Sequence, residues 1–423
     1  MKVFKFGGAS VKDALAVKNV SRILSLYSGE KRTVIISAMG KTTNEMEKIV
    51  QALWDNNKHL FHQIVEERLQ FHLSILNDLF TEKHFAIYTE VENIFENLRN
   101  KYNLPHSENF DFEYDQIVSL GEVLSTLIVN AFLQEEGHSV AWADCRKLIR
   151  TDNLYREGNV DWATTENLIK TKFMAVFKDV DIQITQGFVG HTSEGFTTTL
   201  GREGSDYTAG IFAYCCNAES VTIWKDVPGM LNADPKWFDN TVKLESISFK
   251  EAIELSYYGA TVIHPKTIKP LQNKGIPLYV KSFIDPHAEG TVIQESMEND
   301  HLVPSFIFKM NQLYLHLTPK DFSFIVEENL SDIFSRLASV NAKINLMQNS
   351  ALSFAIALDH DKIDLEKILN LFNESYNVRY NEGLELVTIR HHDQATIDRV
   401  TEGKEILVEQ KTKQTARFLL KDV

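Results

Sequence analysis

Cysteine is scarce in this chain, and its pattern excludes two classes of protein. The three cysteines, Cys145, Cys215 and Cys216, form no CxxC pair and show no metal-ligand spacing. An odd count also cannot complete a set of disulfides. The sequence therefore argues against a disulfide-stabilised scaffold and a cysteine-bound metal site, and we expect a reducing, cytoplasmic location.

Positive charge is also in short supply. Lysine and arginine total 44 against 58 acidic residues, which gives a formal net charge of −14. Such an acidic surface repels phosphate backbones, so nucleic acid is not expected as a partner. A site for a smaller polyphosphate would have to concentrate cations locally, and lysines or arginines next to glycines are therefore the first candidates.

Long hydrophobic runs are absent as well. The longest apolar stretch, around residues 124–133, is interrupted by Ser125, Thr126 and Asn130. The first ten residues, MKVFKFGGAS, place two lysines among the apolar positions and do not resemble a signal peptide. We therefore expect no signal peptide and no membrane span.

The apolar residues that are present predict an α/β protein of two or three compact units. Short strand-like runs alternate with amphipathic helical segments over residues 1–300, which predicts a mainly parallel sheet between helices. Residues 56–103 are helical throughout and interrupt this alternation. Ligands of such sheets bind where strands end in loops.

After Pro304 the pattern changes to β-α-β-β-α-β, which is typical of a ferredoxin-like module. A shorter, weaker repetition of this pattern begins at Ala395. We therefore predict a regulatory region over residues 301–423 with one complete module and one abbreviated module.

The first chemical motif is the segment from Lys5 to Gly8, where a strand ends in paired glycines. Glycines let backbone N–H groups approach phosphate oxygens, and Lys5 adds a full positive charge. The alternative is an ordinary strand-to-helix turn.

The nearby Gly40-Lys41-Thr42 resembles the end of a P-loop. However, Ile35 stands where the P-loop requires its leading glycine, so the P-loop interpretation fails.

The most informative cluster runs from Gly201 to Tyr207, GREGSDY, between a strand and a helix. Its Ser and Asp could simply cap the helix, whereas Arg202 is suited to binding a carboxylate with two hydrogen bonds. A second cluster, Lys225-Asp226-Val227-Pro228-Gly229, ends a later strand, and Asp234-Pro235-Lys236 follows in the same loop. This loop either is an Asp-Pro turn between strand and helix or contacts a nucleotide.

Seven ordered motifs over about 260 residues closely resemble the aspartate kinases of the amino acid kinase family. They are KFGGASV, VIISAMGKTTN, SLGEVLS, ITQGFVG, TTLGREGSDYTAG, IWKDVPGMLNADPK and YYGATVIHPKTI. The resemblance implies an amino acid kinase domain followed by ACT-type modules. It also implies that ATP phosphorylates L-aspartate to 4-phospho-L-aspartate, the entry step of lysine, threonine and methionine biosynthesis.

The resemblance implies a role for each matching residue. Lys5 and Asp206 would be catalytic, with Lys5 neutralising the transferred phosphoryl group. The aspartate pocket would comprise Ser37, Thr43, Glu122, Phe188, Arg202 and Ser205. The nucleotide site would comprise Gly7, Gly8, Lys225, Asp226, Leu231, Lys236 and Lys266. Mg²⁺ would arrive on the ATP phosphates without dedicated protein ligands, and the ACT region would form a homodimer.

The chain departs from the family pattern at three positions near the phosphates. Ala9 stands where many relatives have threonine, and Glu203 stands where glycine is common. Thr261 stands where many relatives have a lysine that contacts the nucleotide, and the nearby Lys266 is a candidate substitute.

Two alternatives remain open from the sequence. A kinase of the same fold could act on another acid, such as glutamate or acetylglutamate. A protein of a different class, a catalytically silent amino-acid sensor, would use the kinase body only as a scaffold. The motifs KFGGASV and GREGSD favour aspartate, and the retained Lys5, Arg202, Asp206 and Asp226 favour catalysis.

We predict that millimolar lysine inhibits this enzyme weakly or not at all. Asn345 and Ala351 stand where lysine-sensitive relatives have acidic residues, so the effector's ammonium lacks a counter-charge. A charge-assisted hydrogen bond is worth about 1.5 to 3 kcal/mol, and losing one weakens binding about tenfold or more. Titrations with lysine, threonine and methionine at subsaturating aspartate check this. Inhibition by micromolar lysine would contradict it.

Overall fold

The computed structural model describes residues 1–81, 85–260, 263–321 and 323–423. The chain forms two compact units that alternate along the sequence. The first unit comprises Met1–Met230, Lys243–Ile253 and Val262–Met297, and the second comprises Leu231–Val242, Glu254–Thr261 and Glu298–Val423. Because the units alternate, the predicted single boundary near residue 300 stays a prediction.

The first unit is built on an eight-stranded sheet and a separate two-stranded sheet. The strands are β1 Lys2–Phe6, β2 Arg32–Ile36, β3 Val140–Ala143, β4 Ile182–Gln186, β5 Val189–His191, β6 Thr197–Thr199, β7 Ser220–Lys225, β8 Ser246–Ser248, β9 Leu278–Ser282 and β10 Thr291–Gln294. The large sheet has the order β3-β4-β2-β1-β7-β9-β10-β8, and β5 pairs with β6.

The six strands from β3 to β9 in this order are parallel, and β10 is antiparallel to β9. All five residues of β2 are buried, which is typical of a parallel strand covered on both faces. Because β1 lies between β2 and β7, their carboxyl ends meet at one edge of the sheet. The residues that follow these strands can therefore form a common site.

Eleven α-helices lie within the described part of residues 1–297. They are α1 Ala14–Ser25, α2 Thr42–Trp54, α3 Lys58–Leu79, α4 Phe85–Lys101, α5 Phe110–Val118, α6 Leu120–Glu135, α7 Trp162–Leu168, α8 Met174–Val176, α9 Gly204–Cys216, α10 Phe249–Tyr258 and α11 Pro265–Lys274. The last turns of α10 belong to the second unit. A π-helical turn, Ile169–Phe173, joins α7 to α8. The helical segment expected at residues 56–103 contains α3 and α4.

The stretch Phe110–Glu135, which includes α5 and α6, is long and apolar enough to cross a membrane by length and composition alone. It extends beyond the apolar run around residues 124–133. However, 78% of its most apolar window is buried inside the protein. Such burial is typical of a core helix, because Leu124, Ile128 and Phe132 pack into the main hydrophobic cluster of the first unit.

From Glu298 onwards, the described residues of the second unit form an antiparallel six-stranded sheet and three α-helices. Its elements are β11 Ser305–Pro319, α12 Glu327–Ser339, β12 Ile344–Asn349, β13 Phe354–Asp359, α13 Leu365–Phe372, β14 Tyr376–Arg390, α14 Gln394–Thr401, β15 Lys404–Lys411 and β16 Thr415–Asp422. The strand order is β12-β13-β11-β14-β16-β15. The long strands β11 and β14 pair at the centre, and the last helix and two strands extend the sheet beyond β14.

The short segment Leu231–Val242 packs within the second unit through aromatic contacts. The ring of Phe238 stacks on Phe306 with centroids 4.3 Å apart, and the Arg399 guanidinium lies 3.8 Å from the Phe238 centroid. Phe238 is buried in the same cluster as Ile389 and Phe418. This segment, which carries two predicted nucleotide-binding residues, therefore belongs to the second unit.

Candidate active site

The site is organised around an ion pair between a strand end and a helix start. Lys5 lies near the end of β1, and Asp206 lies in the first turn of α9. The Lys5 Nζ is 2.7 Å from the Asp206 Oδ1, and the two side chains are 11% and 4% exposed. The Lys225 Nζ, at the end of the adjacent β7, is 3.9 Å from the Asp206 Oδ2. Two lysines thus share one buried carboxylate.

The glycine loop after β1 is packed against the loop after β2. A Cβ atom at Gly8 would lie 2.8 Å from the carbonyl oxygens of Ala38 and Gly40, so only glycine is tolerated there. The Gly40 N–H also donates to the Gly8 carbonyl at 3.1 Å. A Cβ atom at Gly7 would lie 3.4 Å from the Lys5 Nζ. The glycines thus bring two loops together beside the lysine.

Most of the predicted catalytic and substrate residues line one cavity of about 730 Å³. Among the predicted residues, its walls include Lys5, Ser37, Thr43, Glu122, Phe188, Arg202, Ser205, Asp206 and Lys225. These residues lie at or just after the ends of β1, β2, β4, β6 and β7 and in α2, α6 and α9 of the first unit. The cavity therefore brings together the predicted catalytic pair and the whole predicted aspartate pocket.

Glu122 is a buried carboxylate with an incomplete set of partners. Its side chain lies in the first turn of α6, the residue is 2% exposed, and the Ala38 N–H donates to its Oε1 at 3.4 Å. Its Oε2 is buried without a hydrogen-bond partner in the described part of the chain. Burial raises the pKa of Glu122 to about 8, against the opposing effects of the Ala38 N–H and the Lys5 ammonium. A ligand's ammonium group would supply the missing cation.

The turns that carry Phe188 and Ser205 fit together through glycines. A Cβ atom at Gly187 would lie 2.5 Å from the Ser205 Cβ, and one at Gly204 would lie 2.6 Å from the Phe188 Cδ2. Phe188 itself has a left-handed backbone with φ of 72°, which is unusual for an aromatic residue. This close packing fixes the start of α9 and leaves Arg202 exposed at the cavity wall.

Glu203, which departs from the family pattern, has a left-handed backbone with φ of 53° and lines the cavity. Burial raises the pKa of its carboxyl, and the Asp206 carboxylate raises it further, while Lys225, Arg202 and Lys5 oppose the shift. Because the pKa is raised on balance, the surrounding cations offset the burial of this glutamate only in part.

Sequence reasoning missed one wall of the cavity. It consists of Glu47, Asp111, Tyr114, Leu154, Tyr155, Arg156, Glu157 and Thr199. The Tyr114 hydroxyl donates to the Glu47 Oε1 at 2.6 Å, and the Arg156 guanidinium lies 4.4 Å from the Tyr114 ring centroid. Thr199 lies in the motif TTLGREGSDYTAG, but the other residues fall in none of the seven motifs, because they come from α2, α5 and a loop that are distant in sequence.

Known proteins resemble this chain along nearly its whole length. A profile of the amino acid kinase family matches residues 1–282. Lysine-sensitive aspartokinase 3 of Escherichia coli is 32% identical over 400 residues, covering 92% of this chain and 87% of that protein. The crystal structure of E. coli aspartokinase III with aspartate and ADP matches with a TM-score of 0.81 at 29% identity, covering 99% of this chain and 96% of that one.

This chain belongs to the amino acid kinase family and is an aspartokinase. The chloroplastic aspartokinase 2 of Arabidopsis thaliana is a further relative, 28% identical over 89% of this chain and 69% of its own length. The predicted family, the fold class and the kinase activity are confirmed. The alternative of a catalytically silent sensor is therefore not supported.

The predicted nucleotide-binding residues of this aspartokinase are not all in one place. Lys225 lines the main cavity, and Asp226 follows it directly. Lys266 lines a second cavity of about 410 Å³, together with Trp162 and Tyr207. Leu231 and Lys236 belong to the second unit. Lys266 was the candidate substitute for the lysine that many relatives have at the position of Thr261. Thr261 itself lies outside the described residues.

We expect the pH to control aspartate binding through Glu122. Its raised pKa means that the carboxyl is protonated below about 8 and ionised above, and only the ionised form pairs with an ammonium group. The Michaelis constant for aspartate should therefore fall as the pH rises through about 8. Initial rates over a pH series check this.

The matched control is Glu122→Gln, which keeps the shape of the side chain without its charge. This variant should raise the Michaelis constant for aspartate and remove its dependence on pH in that range. A wild-type Michaelis constant that is flat across this range would contradict the assignment.

Proposed function

We propose that this aspartokinase transfers the γ-phosphoryl group of ATP to the side-chain carboxylate of L-aspartate, at the start of lysine, threonine and methionine biosynthesis. The observation that carries the proposal is the buried Lys5–Asp206 pair, at 2.7 Å, in one cavity with Glu122 and Arg202. Among the other charged side chains of the cavity, Arg202 supplies a cation and Glu122 supplies a carboxyl group. L-Aspartate carries the complementary α-carboxylate and α-ammonium groups.

The roles of the pocket residues follow from their charges. Arg202 would bind the α-carboxylate with two parallel hydrogen bonds, and Glu122 would bind the α-ammonium. The hydroxyl groups of Ser37, Thr43 and Ser205 would donate further hydrogen bonds. Phe188 would form an apolar wall beside the substrate's methylene group. The side-chain carboxylate would then be directed towards Lys5.

The chemistry needs no general base. An oxygen of the substrate's ionised carboxylate attacks the γ-phosphorus, the bond from that phosphorus to the bridging oxygen breaks, and ADP leaves with the bond's electrons. No proton is transferred. The Lys5 ammonium would neutralise charge on the transferred group, while Asp206 would hold the lysine in place. Positioning and charge neutralisation therefore account for the catalysis.

We assign the nucleotide to the glycine loop and the end of β7. The backbone of Gly7 and Gly8 would approach the phosphates, and Lys225 would add charge beside Asp226. Leu231, Lys236 and Lys266 remain proposed nucleotide contacts on the resemblance alone.

Mg²⁺ belongs to this proposal as part of the nucleotide substrate. Within the described ranges, no three histidine, cysteine or carboxylate side chains are grouped to hold a metal ion. Asp206 and Glu203 are the carboxylates beside Lys5 and Lys225, and they would be the nearest protein groups. This donor set agrees with an ion held mainly by phosphates and water. When bound, the ion would neutralise part of the negative charge of the phosphates.

The structure adds support to the proposal that lysine is not an effector. The Asn345 side-chain amide donates to the Gln312 Oε1 at 2.8 Å and to the Asp359 Oδ1 at 2.6 Å. Its carbonyl oxygen accepts from the Lys309 Nζ at 2.6 Å. All three contacts lie within the second unit, so an ammonium at this position would compete with Lys309.

We also propose a homodimer formed through the second unit in the cytoplasm. Exposed apolar side chains there include Phe324, Val326, Met347 and Leu352, with exposed fractions of 66%, 43%, 53% and 44%. Clusters of this kind commonly mark association surfaces. Light scattering on the purified chain should give twice the monomer mass of 48.4 kDa. A monomer at assay concentration would contradict this.

A coupled assay of ADP release tests the proposed function. We expect turnover with L-aspartate and only background rates with L-glutamate, N-acetylglutamate or no acceptor, because the pocket charges match a short amino dicarboxylate. Equal rates with glutamate would assign the enzyme to another acid. A rate that is independent of any acceptor would indicate ATP hydrolysis instead.

Two variants serve as controls in that assay. Lys5→Ala should lower the turnover number by several orders of magnitude, because its charge acts mainly in the transition state. Arg202→Ala should chiefly raise the Michaelis constant for aspartate, with a loss of roughly 2 to 3 kcal/mol in kcat/KM. If Arg202→Ala changed only the constant for ATP, the assignment of the pocket would be wrong.

A further inference from the structure

Asp115, in the middle of α5, is a fully buried carboxylate that joins two distant segments. Its side chain is 0% exposed. The Arg156 N–H donates to its Oδ2 at 2.9 Å, and the Thr199 N–H donates to the same oxygen at 2.9 Å. The Thr199 hydroxyl donates to its Oδ1 at 2.7 Å. One side chain thus accepts three hydrogen bonds from a loop and from β6.

Both segments are walls of the cavity that holds Lys5. Arg156 and Thr199 line it, and Thr199 lies three residues before Arg202 on the same segment. The two segments also contact each other, because the Gly158 N–H donates to the Thr199 carbonyl at 2.9 Å. A Cβ atom at Gly201 would lie 3.3 Å from the Arg156 carbonyl oxygen. Movement of the loop would therefore move the segment that carries Arg202.

The loop has a backbone conformation that needs an external partner. Arg156 has φ of 66°, in the left-handed region that residues with a side chain rarely adopt. Its guanidinium reaches the cavity rim, where it lies over the Tyr114 ring and 3.2 Å from the Asp111 Oδ1. Because this last pair is exposed, it contributes little to holding the loop. The buried hydrogen bond to Asp115 is the stronger restraint.

We propose that Asp115 is a positioning residue for aspartate binding, which holds the Arg156 loop and the Thr199–Arg202 segment in the arrangement that presents the Arg202 guanidinium to the substrate. This inference rests on the proposed function, because it acts through the assigned role of Arg202. Asp115 itself does not line the cavity and acts only through its two partners.

The ionisation of Asp115 gives this role a measurable signature. Burial raises the pKa of Asp115 to about 6, while the hydrogen bonds from Arg156 and Thr199 oppose the shift and the Asp111 carboxylate adds to it. The other titratable groups that face it are Tyr114 on its own helix and Tyr155 on the loop. Protonation below about pH 6 would put a proton on oxygens that already face N–H and O–H donors. The restraint is therefore present above that pH and lost below it.

The test is Asp115→Asn in the full chain, assayed by ADP release. The neutral amide of asparagine is a weaker hydrogen-bond acceptor than the carboxylate, so the Michaelis constant for aspartate should rise by about tenfold. The constant for ATP and the turnover number at saturating aspartate should stay within about twofold of wild type, since neither depends on Arg202. The wild-type constant for aspartate should rise as the pH falls through about 6, and the variant should lack this rise.

Glu113→Gln is the matched control for a purely structural effect. Glu113 lies on the same helix and is 2% exposed. The substitution removes a buried carboxylate, which pairs with the Lys101 ammonium and accepts a hydrogen bond from the Ser107 N–H. Glu113 does not line the cavity. We expect it to lower the melting temperature without changing the constant for aspartate. An equal rise in both variants would reduce Asp115 to a structural residue and overturn the proposal.

Thr199→Val provides a second test if Asp115→Asn does not fold. It removes one of the three donors to Asp115 while keeping the side-chain shape. It should therefore also raise the Michaelis constant for aspartate, by a smaller factor than Asp115→Asn. A folded Asp115→Asn or Thr199→Val enzyme with unchanged constants refutes this inference and leaves the proposed function intact. No turnover of aspartate by wild type refutes the proposed function and this inference with it.

Discussion

The buried ion pair between Lys5 and Asp206 is the interaction on which the rest of the site depends. Taking a lysine and a carboxylate out of water is costly unless each finds its partner with good geometry. The parallel pairing of β1 with β7 and the packing of α9 bring the two charged groups within 2.7 Å, and the Lys225 Nζ lies 3.9 Å from the other oxygen of the carboxylate. The glycines after β1 leave room for phosphate groups beside this pair. Loss of Asp206 would leave the Lys5 and Lys225 ammonium groups without the carboxylate that they share.

The charges around this pair explain why the pocket matches an amino acid with an acidic side chain. Glu122 is buried without a cation of its own, and Arg202 is exposed at the cavity wall. In the binding mode proposed above, Glu122 and Arg202 pair with the two charges of a zwitterionic substrate, and its second carboxylate is directed towards Lys5. Specificity would then arise from the balance of charges as much as from shape.

The two units alternate along the chain, and the predicted nucleotide-binding residues are divided between them. Leu231 and Lys236 lie in a segment that packs within the second unit, where Phe238 stacks on Phe306. Lys225, only a few residues earlier, belongs to the first unit and pairs with Asp206. The predicted nucleotide-binding residues therefore fall in both units, although one short stretch of chain carries Lys225, Leu231 and Lys236.

The sequence by itself determined the features that depend on local geometry: Lys5 at a strand end, the Gly7–Gly8 turn, Asp206 in the first turn of a helix, and the β-α-β-β-α-β order of the second unit. Turns and helix starts constrain their own residues, so motifs reveal them. Only the tertiary structure decided that Asp115 holds Arg156 and Thr199, which are 41 and 84 residues away from it. It also decided that Lys266 lines a separate cavity and that Leu231 belongs to the second unit. Such contacts depend on strand order and helix packing, which bring distant residues together without leaving a pattern in either local sequence.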